Sequence, residues 1–344
     1  MKLLISLQVK KILSAIAEHS GVLSQILKRH AVNSTLILMY HRVVESDETN
    51  QLLEPGMYVT PKTFESHIVF LKDYFKIYSL KDYVSRYKED LESTAPPRCI
   101  LTFDDGWHDF YMNVYPLLRR YKIPATVFLP ANFIGTENWF WTDRLAYLIG
   151  KCDGNILLDA MKCNIRDPLT RQLTRLQGSP NARLDQAIRI LKPFSKETIE
   201  KALLDISAVW GIRENPPGRA FLSWEEVEEL SQSGFVEFGS HTANHLILPI
   251  LDDETVRSEL NSSMDELILR RAVDPNFVPF CYPNGNLDER IVKLVREAGY
   301  GAAVTTMPGW NLQSADPFIL KRVSIHQDIA STTAMFGCRI TGLI

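Results

Sequence analysis

The sequence predicts an α/β fold built on a parallel sheet, open or closed into a barrel. Short β-rich apolar runs alternate with segments of helical spacing along most of the 344 residues. Two of those runs end in residue types suited to catalysis, Asp104-Asp105-Gly106 and His241 to His245. The carboxyl ends of strands are where parallel α/β folds collect active-site groups.

In chain order the predicted strands are Thr35–Tyr40, Lys76–Leu80, Cys99–Phe103, Ala125–Leu129, Val236–Ser240, Phe277–Tyr282, Ala302–Thr305 and Ile319–Ile325. Helical spacing falls between most of them, over Pro61–Tyr74 with an N-cap near Thr60, Lys81–Glu92, Met112–Tyr121, Trp224–Ser233 and Leu287–Ala298. From about Cys152 to Arg219 the rhythm breaks. That stretch is polar and helical, with helices expected over Leu169–Leu176, Leu184–Leu191 and Lys196–Trp210 and an exit at Pro216-Pro217. The strand pattern then resumes without a second complete set. The predicted organisation is therefore an N-terminal amphipathic helical segment, 1–33, followed by one domain, 34–344, with a helical insertion at about 152–219. There are no internal repeats and no low-complexity tracts.

With 45% hydrophobic and 23% charged residues the chain has ordinary globular composition. A net charge of -3 argues against a nucleic-acid partner, because phosphate binding needs clustered Lys and Arg to displace counterions. The five cysteines, Cys99, Cys152, Cys163, Cys281 and Cys338, are odd in number and contain no C-x-x-C pair. Neither a disulfide framework nor a zinc finger is indicated, and a reducing compartment fits best.

The N-terminal segment places apolar residues at helical spacing but interrupts them with Lys10, Lys11, Glu18 and His19. A secretory signal would need an unbroken apolar core and a small-residue cleavage site. Two readings of the segment stand, a helix packed on the domain and an interfacial helix on a membrane that carries a lipid-linked substrate. The expected location is cytoplasmic, with the second reading adding peripheral contact to the inner membrane.

Four segments carry chemistry. The first, Leu101-Thr102-Phe103-Asp104-Asp105-Gly106, ends an apolar strand in adjacent carboxylates, which a turn at Gly106 can bring into one cleft. Alone, it reads first as a turn with a helix cap. The second, Ser240-His241-Thr242-Ala243-Asn244-His245, follows another apolar strand, and its histidines at i and i+4 are expected on one face of a helical turn, able to reach one metal. Two His and one Asp with open coordination positions are a set that a catalytic divalent ion uses to activate water, and a neighbouring carboxylate can take the proton. Such a set is a hydrolase site.

The third, Phe280-Cys281-Tyr282-Pro283-Asn284-Gly285, ends a strand in a turn whose backbone N–H groups suit an oxyanion, or is an ordinary Pro-Asn-Gly turn. The fourth, Met39-Tyr40-His41-Arg42-Val43, puts His41 at the end of the first core strand as a candidate general acid. Two further groups have paired readings. Trp139, Phe140 and Trp141 with Asp143 and Arg144 either stack on sugar rings or bury the base of the insertion, and Trp107 and His108 either line the cleft or cap a helix.

Together these residues resemble the polysaccharide deacetylases of carbohydrate esterase family four, over roughly Leu36–Asp328 with the helical insertion as the main interruption. The motifs are TFDDG at 102–106 and SHTANH at 240–245. The resemblance implies a distorted (β/α) barrel of about seven strands. It implies a divalent metal of the zinc type on Asp105, His241 and His245, and Asp104 as the base in removing acetyl from an N-acetylated glycan. The opening LILMYHRV is similar to the branch acting on poly-N-acetylglucosamine, as in exopolysaccharide biosynthesis, which implies His41 as the acid. By the same similarity the segment Leu320–His326 implies Arg322 beside the catalytic aspartate, with His326 as the rival acid.

The third motif departs from the family, since Cys281 stands where many members have the arginine that holds the base. Asn284 replaces a tyrosine, yet its backbone N–H can still serve the oxyanion. The expected function is a metal-dependent carbohydrate N-deacetylase. The alternatives are an O-acetyl esterase or another amide hydrolase on the same site, or a catalytically silent glycan-binding barrel.

Overall fold

The computed structural model describes residues 7–31, 34–45, 56–85, 96–157 and 163–343. The chain divides into two compact units, one of 1–44, 58–136 and 221–344, the other of 45–57 and 137–220.

The first unit is built on a curled, mainly parallel sheet. Its main strands are β1 (Ser34–Tyr40), β5 (Arg98–Phe103), β6 (Ala125–Leu129), β7 (Val236–Ser240), β8 (Pro279–Cys281) and β9 (Ala302–Val304), hydrogen-bonded in that order. Three short strands precede β5, namely β2 (Arg42–Val43), β3 (Tyr58–Val59) and β4 (Lys76–Ile77), and β4 pairs with β5. β10 (Asn311–Leu312) pairs antiparallel with the start of β1.

Closure comes from the last segment. Leu320 bridges Val304 of β9, and β11 (Val323–Ser324) pairs in parallel with Leu38 and Met39 of β1. The segment thus touches both ends of the curled sheet, so β1, β5, β6, β7, β8, β9 and β11 occupy seven parallel positions of a distorted (β/α) barrel. β1 and β6 are buried along their whole length, which is why their apolar runs carry no alternation.

The helices follow local signals closely. Pro61–Tyr74 forms as expected, with Thr60 accepting from the Thr63 N–H and Pro61 in the first turn, and it buries Phe64, Ile68 and Leu71. Trp224–Gln232 opens with a capping box between Ser223 and Glu226. The helix expected over Met112–Tyr121 begins earlier, as a π-turn at Phe110–Val114, before becoming α-helical at Tyr115–Tyr121. The expected strand Lys76–Leu80 stops at Ile77 because Leu80 opens the helix Leu80–Ser85, and the rest of the helix expected to Glu92 lies outside the described residues. The N-terminal segment is two helices, α1 (Leu7–His19) and α2 (Val22–Ala31), broken at Gly21, which has φ +75°. Both pack on the C-terminal helix Thr333–Thr341.

The second unit is helical, with Trp141–Lys151, Pro168–Leu173, Pro180–Leu191 and Lys196–Trp210 around a core that includes Leu145, Leu148, Leu184, Leu191, Leu203 and Ile206. It takes in 137–151 as well as the expected insertion. Trp141 packs against this core and the Trp139 indole donates to the Gly218 carbonyl. Arg144 is buried and ion-paired with Glu200 and Glu214. Trp141 and Arg144 therefore serve the packing of this unit.

Candidate metal centre and active site

The carboxyl ends of β1, β5, β7 and β8 bring four of the sequence motifs to one end of the first unit. The β1 and β5 ends are held in step by the Asp104 N–H donating to the Tyr40 carbonyl at 3.0 Å. Immediately after β5, Asp105 and Gly106 both take left-handed φ, +72° and +66°. The turn therefore begins one residue before the glycine, and this turns two adjacent carboxylates into one cleft. The φ of Gly106 favours glycine, and a Cβ there would lie 2.5 Å from Leu129 Cδ2, so that side chain would have to shift for any other residue.

The two aspartates have different partners. Asp105 Oδ2 accepts from the Trp107 indole at 3.0 Å, and the indole is fixed by stacking on Phe221 and by the Arg42 guanidinium 4.5 Å from its centroid. Asp109 holds that guanidinium, accepting from Arg42 Nε at 2.8 Å. Asp105 Oδ1 is buried without a hydrogen-bond partner, and His241 Nε2 and His245 Nε2 lie 3.5 and 3.4 Å from it.

These separations are long for hydrogen bonds. They match two donors at about 2.0–2.1 Å from a shared ion at the tetrahedral angle, which are about 3.4 Å apart. His241 Nδ1 lies 2.8 Å from the Cys281 carbonyl, so its N–H points there and its Nε2 lone pair faces Asp105. Burial pushes both imidazoles down to about 4, leaving them neutral and able to act as ligands, while burial pushes the Asp105 carboxyl up. An orphaned buried carboxylate oxygen faced by two neutral imidazole nitrogens fits a divalent cation.

The histidines are not on a helical turn, contrary to expectation. Ser240 ends β7, and Thr242 and His245 have φ of +64° and +56° in an irregular loop. Zipping to the neighbouring loop replaces helical hydrogen bonds, with Ala131 and Asn132 N–H donating to the Thr242 and Ala243 carbonyls. The buried Glu259 then fixes the loop, accepting from the Asn244 N–H at 2.8 Å and from its side-chain amide at 2.6 Å. Sequence reading missed Glu259, and no motif marks it.

Asp104 is held by Arg322, which donates from Nη1 to Oδ1 at 2.6 Å and from Nη2 to Oδ2 at 2.7 Å. The remaining donors go to the Thr305 carbonyl, Thr102 Oγ1 and Cys281 Sγ, so all five guanidinium N–H groups of this fully buried arginine are used. Burial alone would raise the Asp104 carboxyl, but the Arg322 charge and hydrogen bonds outweigh it and hold the group well below the usual range. The Cys281 thiol, pushed up by burial, lies 3.6 Å from Asp104 Oδ2.

His41 Nε2 is 3.8 Å from Asp104 Oδ2 and the side chain is partly exposed. The rival His326 has Asp328 as its near acid, at 3.5 Å. Asn284 sits in the turn after β8 with φ +54° and an exposed side chain, and no described hydrogen bond joins it to Asp104 or Asp105. His108 pairs with Glu226 at 3.1 Å, away from the carboxylate pair in its contacts.

A family model described as "Polysaccharide deacetylase" matches residues 91–303. The chain is 36% identical over 121 residues to a poly-beta-1,6-N-acetyl-D-glucosamine N-deacetylase of Staphylococcus epidermidis, covering 32% of this chain and 41% of that protein. It is 34% identical over 128 residues to the protein of the same name from Staphylococcus aureus, covering 34% of this chain and 43% of that one. The matches thus span about two-fifths of the length of these curated relatives. Among solved structures, the fold is shared with IcaB from Ammonifex degensii, with a TM-score of 0.56 and 15% identity, covering 89% of this chain and 97% of the other. It is also shared with the Streptococcus pyogenes deacetylase PplD, with a TM-score of 0.54 and 19% identity, covering 86% and 94%. With the family model matching well over half of its length, the chain belongs to the polysaccharide deacetylase family.

Proposed function

We propose that this protein is a metal-dependent hydrolase that removes acetyl groups from N-acetylated glycans. The observation that carries the reading is the division of labour between adjacent carboxylates: Asp105 Oδ1 is orphaned between two imidazoles, whereas Asp104 is gripped by Arg322. Asp105, His241 and His245 would hold the ion, zinc in our reading of a His₂Asp donor set. Bound there, the ion supplies Lewis-acid polarisation of the acetyl carbonyl and lowers the pKa of water.

Asp104, kept ionised by Arg322, accepts the proton of the attacking water. The Arg322 grip also fixes the orientation of that carboxylate, so only the proton moves. The Asn284 backbone N–H donates to the carbonyl oxygen as charge develops on it. His41 protonates the departing amine; its 3.8 Å approach to Asp104 favours it over His326 for this role. The products are acetate and a free amino sugar. The names of the staphylococcal relatives support poly-N-acetylglucosamine or a related glycan as substrate. Five free cysteines favour a reducing compartment, and with it a glycan precursor inside the cell.

The test is acetate release by the purified, metal-analysed protein from β-1,6-linked N-acetylglucosamine oligomers and lipid-linked N-acetyl sugars, with Asp104→Asn in parallel. Release that requires both the metal and Asp104 is expected. Equal release by the variant would overturn the assignment of the base.

A further inference from the structure

We propose that the outer face of α1, with an arginine-lined cavity beside α2, is a docking surface for an anionic lipid bilayer. The helix α1 is turned the wrong way for a helix that only packs on its own domain. Its branched aliphatics Val9, Ile12, Leu13 and Ile16 fall at i, i+3, i+4 and i+7, which is one continuous stripe. All four are solvent-exposed, at 44%, 60%, 47% and 59%, while Ser14 is fully buried. A surface helix ordinarily does the reverse, as Trp224–Gln232 does by burying Val227 and Leu230.

This placement is held by packing on the other side. α1 and α2 lie against the helix Thr333–Thr341, where a Cβ on Gly337 would come within 2.9 Å of Leu23 Cδ1. Among the described residues, these contacts leave the stripe largely exposed to solvent.

Charge selects the occupant. Up to Ala31 the sequence carries Lys2, Lys10, Lys11, Lys28 and Arg29 against the single acid Glu18, in a chain whose total is -3. A two-fold pair of chains joined through this face would set the same basic segment against itself. An anionic membrane surface attracts it, and a basic amphipathic helix with an apolar stripe is the form that lies in a bilayer interface.

A second feature on the same platform points to a phosphate-bearing headgroup. A cavity of about 490 Å³ is lined by Arg29 of α2, Arg339 of the C-terminal helix, Trp310 and the exposed Leu312, among others. Trp310 donates from its indole to the Ile340 carbonyl, which fixes the ring at the wall of the cavity. Two arginines beside an aromatic and an exposed leucine give an anion subsite with an apolar edge. None of these residues belongs to the deacetylase machinery, so the inference stands or falls apart from it.

The experiment is flotation of the full chain with vesicles of phosphatidylglycerol and phosphatidylcholine, or of phosphatidylcholine alone. The protein is expected to float with the anionic vesicles only, and progressively less as salt rises. Ile12→Asp with Ile16→Asp should weaken partitioning by more than about tenfold, and Arg29→Glu should weaken it on its own. Both variants should keep the wild-type melting temperature and metal content, because all three side chains are exposed. Wild-type protein that stays at the bottom of the gradient overturns the proposal, as does equal flotation of the double variant. A concentration-dependent dimer that the double variant dissolves would assign the stripe to a second copy and overturn it equally.

Discussion

Arg322 and Asp104 lie 218 residues apart in the chain, yet meet through two hydrogen bonds of 2.6 and 2.7 Å in a fully buried pair. Cys281, where the resemblance implied an arginine in many members, is itself a hydrogen-bond acceptor for Arg322. The guanidinium thus reaches Asp104 from the segment just before β11, across a thiol too small to exclude it.

Removing that guanidinium should expose what it holds down. In Arg322→Gln, burial, the largest influence on Asp104, is left to raise its carboxyl. The acidic limb of the pH–rate profile should move to higher pH and kcat should fall by about 100-fold or more. A buried charge left without its partner should also cost about 3–5 kcal/mol of stability, read from the melting curve. An unmoved acidic limb would argue that Arg322 does not act through Asp104.

Asp104→Asn and His245→Ala should separate catalysis from metal binding. The first should retain metal and lose at least about 10²–10⁴-fold in kcat, the range expected of a positioned general base. The second should lose metal affinity by more than the roughly 10–100-fold that removal of a supporting hydrogen bond costs. Metal content after dialysis, measured beside acetate release, distinguishes the two.

Glu259 should behave as a positioning residue for the ligand loop. Its carboxylate holds the Asn244 N–H and amide one residue before His245, which sits at φ +56°. Glu259→Ala should weaken metal binding by about 10–100-fold, with Glu259→Gln recovering part of it. Chelator competition measures this directly, and unchanged affinity in the alanine variant would leave the loop held by other contacts.

His67 gives the fold a pH dependence away from the site. It is fully buried, with Nε2 2.7 Å from the Ala330 carbonyl, Nδ1 3.1 Å from the Tyr40 hydroxyl, and its ring stacked on Phe336. Burial pushes its pKa down to about 4, so between there and its ordinary value near 6.5 the unfolded chain binds the extra proton. Its stabilising contribution is complete above about pH 6.5 and falls as pH drops toward 4, by about 3 kcal/mol in total. His241 and His245, also pushed down to about 4, add to the slope of the metal-free protein, so denaturant midpoints across that range should fall less steeply in His67→Asn by this residue's share alone.

The candidate site was legible because its parts are local. An apolar strand followed by Asp-Asp-Gly, and another followed by two histidines, are complete within six residues, and the strands β5 and β7 formed where those runs lie. The wrong element was the helical turn at His241–His245. Spacing i, i+4 records separation along the chain, whereas the left-handed residues Thr242 and His245 are stabilised by hydrogen bonds to 131–132 and Glu259 from elsewhere in the fold.

By itself, then, the sequence determined the strand–helix alternation, the motifs that meet at the candidate metal centre and the apolar stripe of α1, since each is a pattern of near neighbours. The resemblance implied Arg322 beside Asp104, but only the tertiary structure decided that two of its five spent donors go to that carboxylate and that Asp105 Oδ1 is left between two imidazoles. It also decided that the stripe of α1 faces outward. Those outcomes depend on which surfaces meet when the chain closes from β9 through Leu320 to β1, and periodicity gives a helix two faces without saying which one the fold will bury.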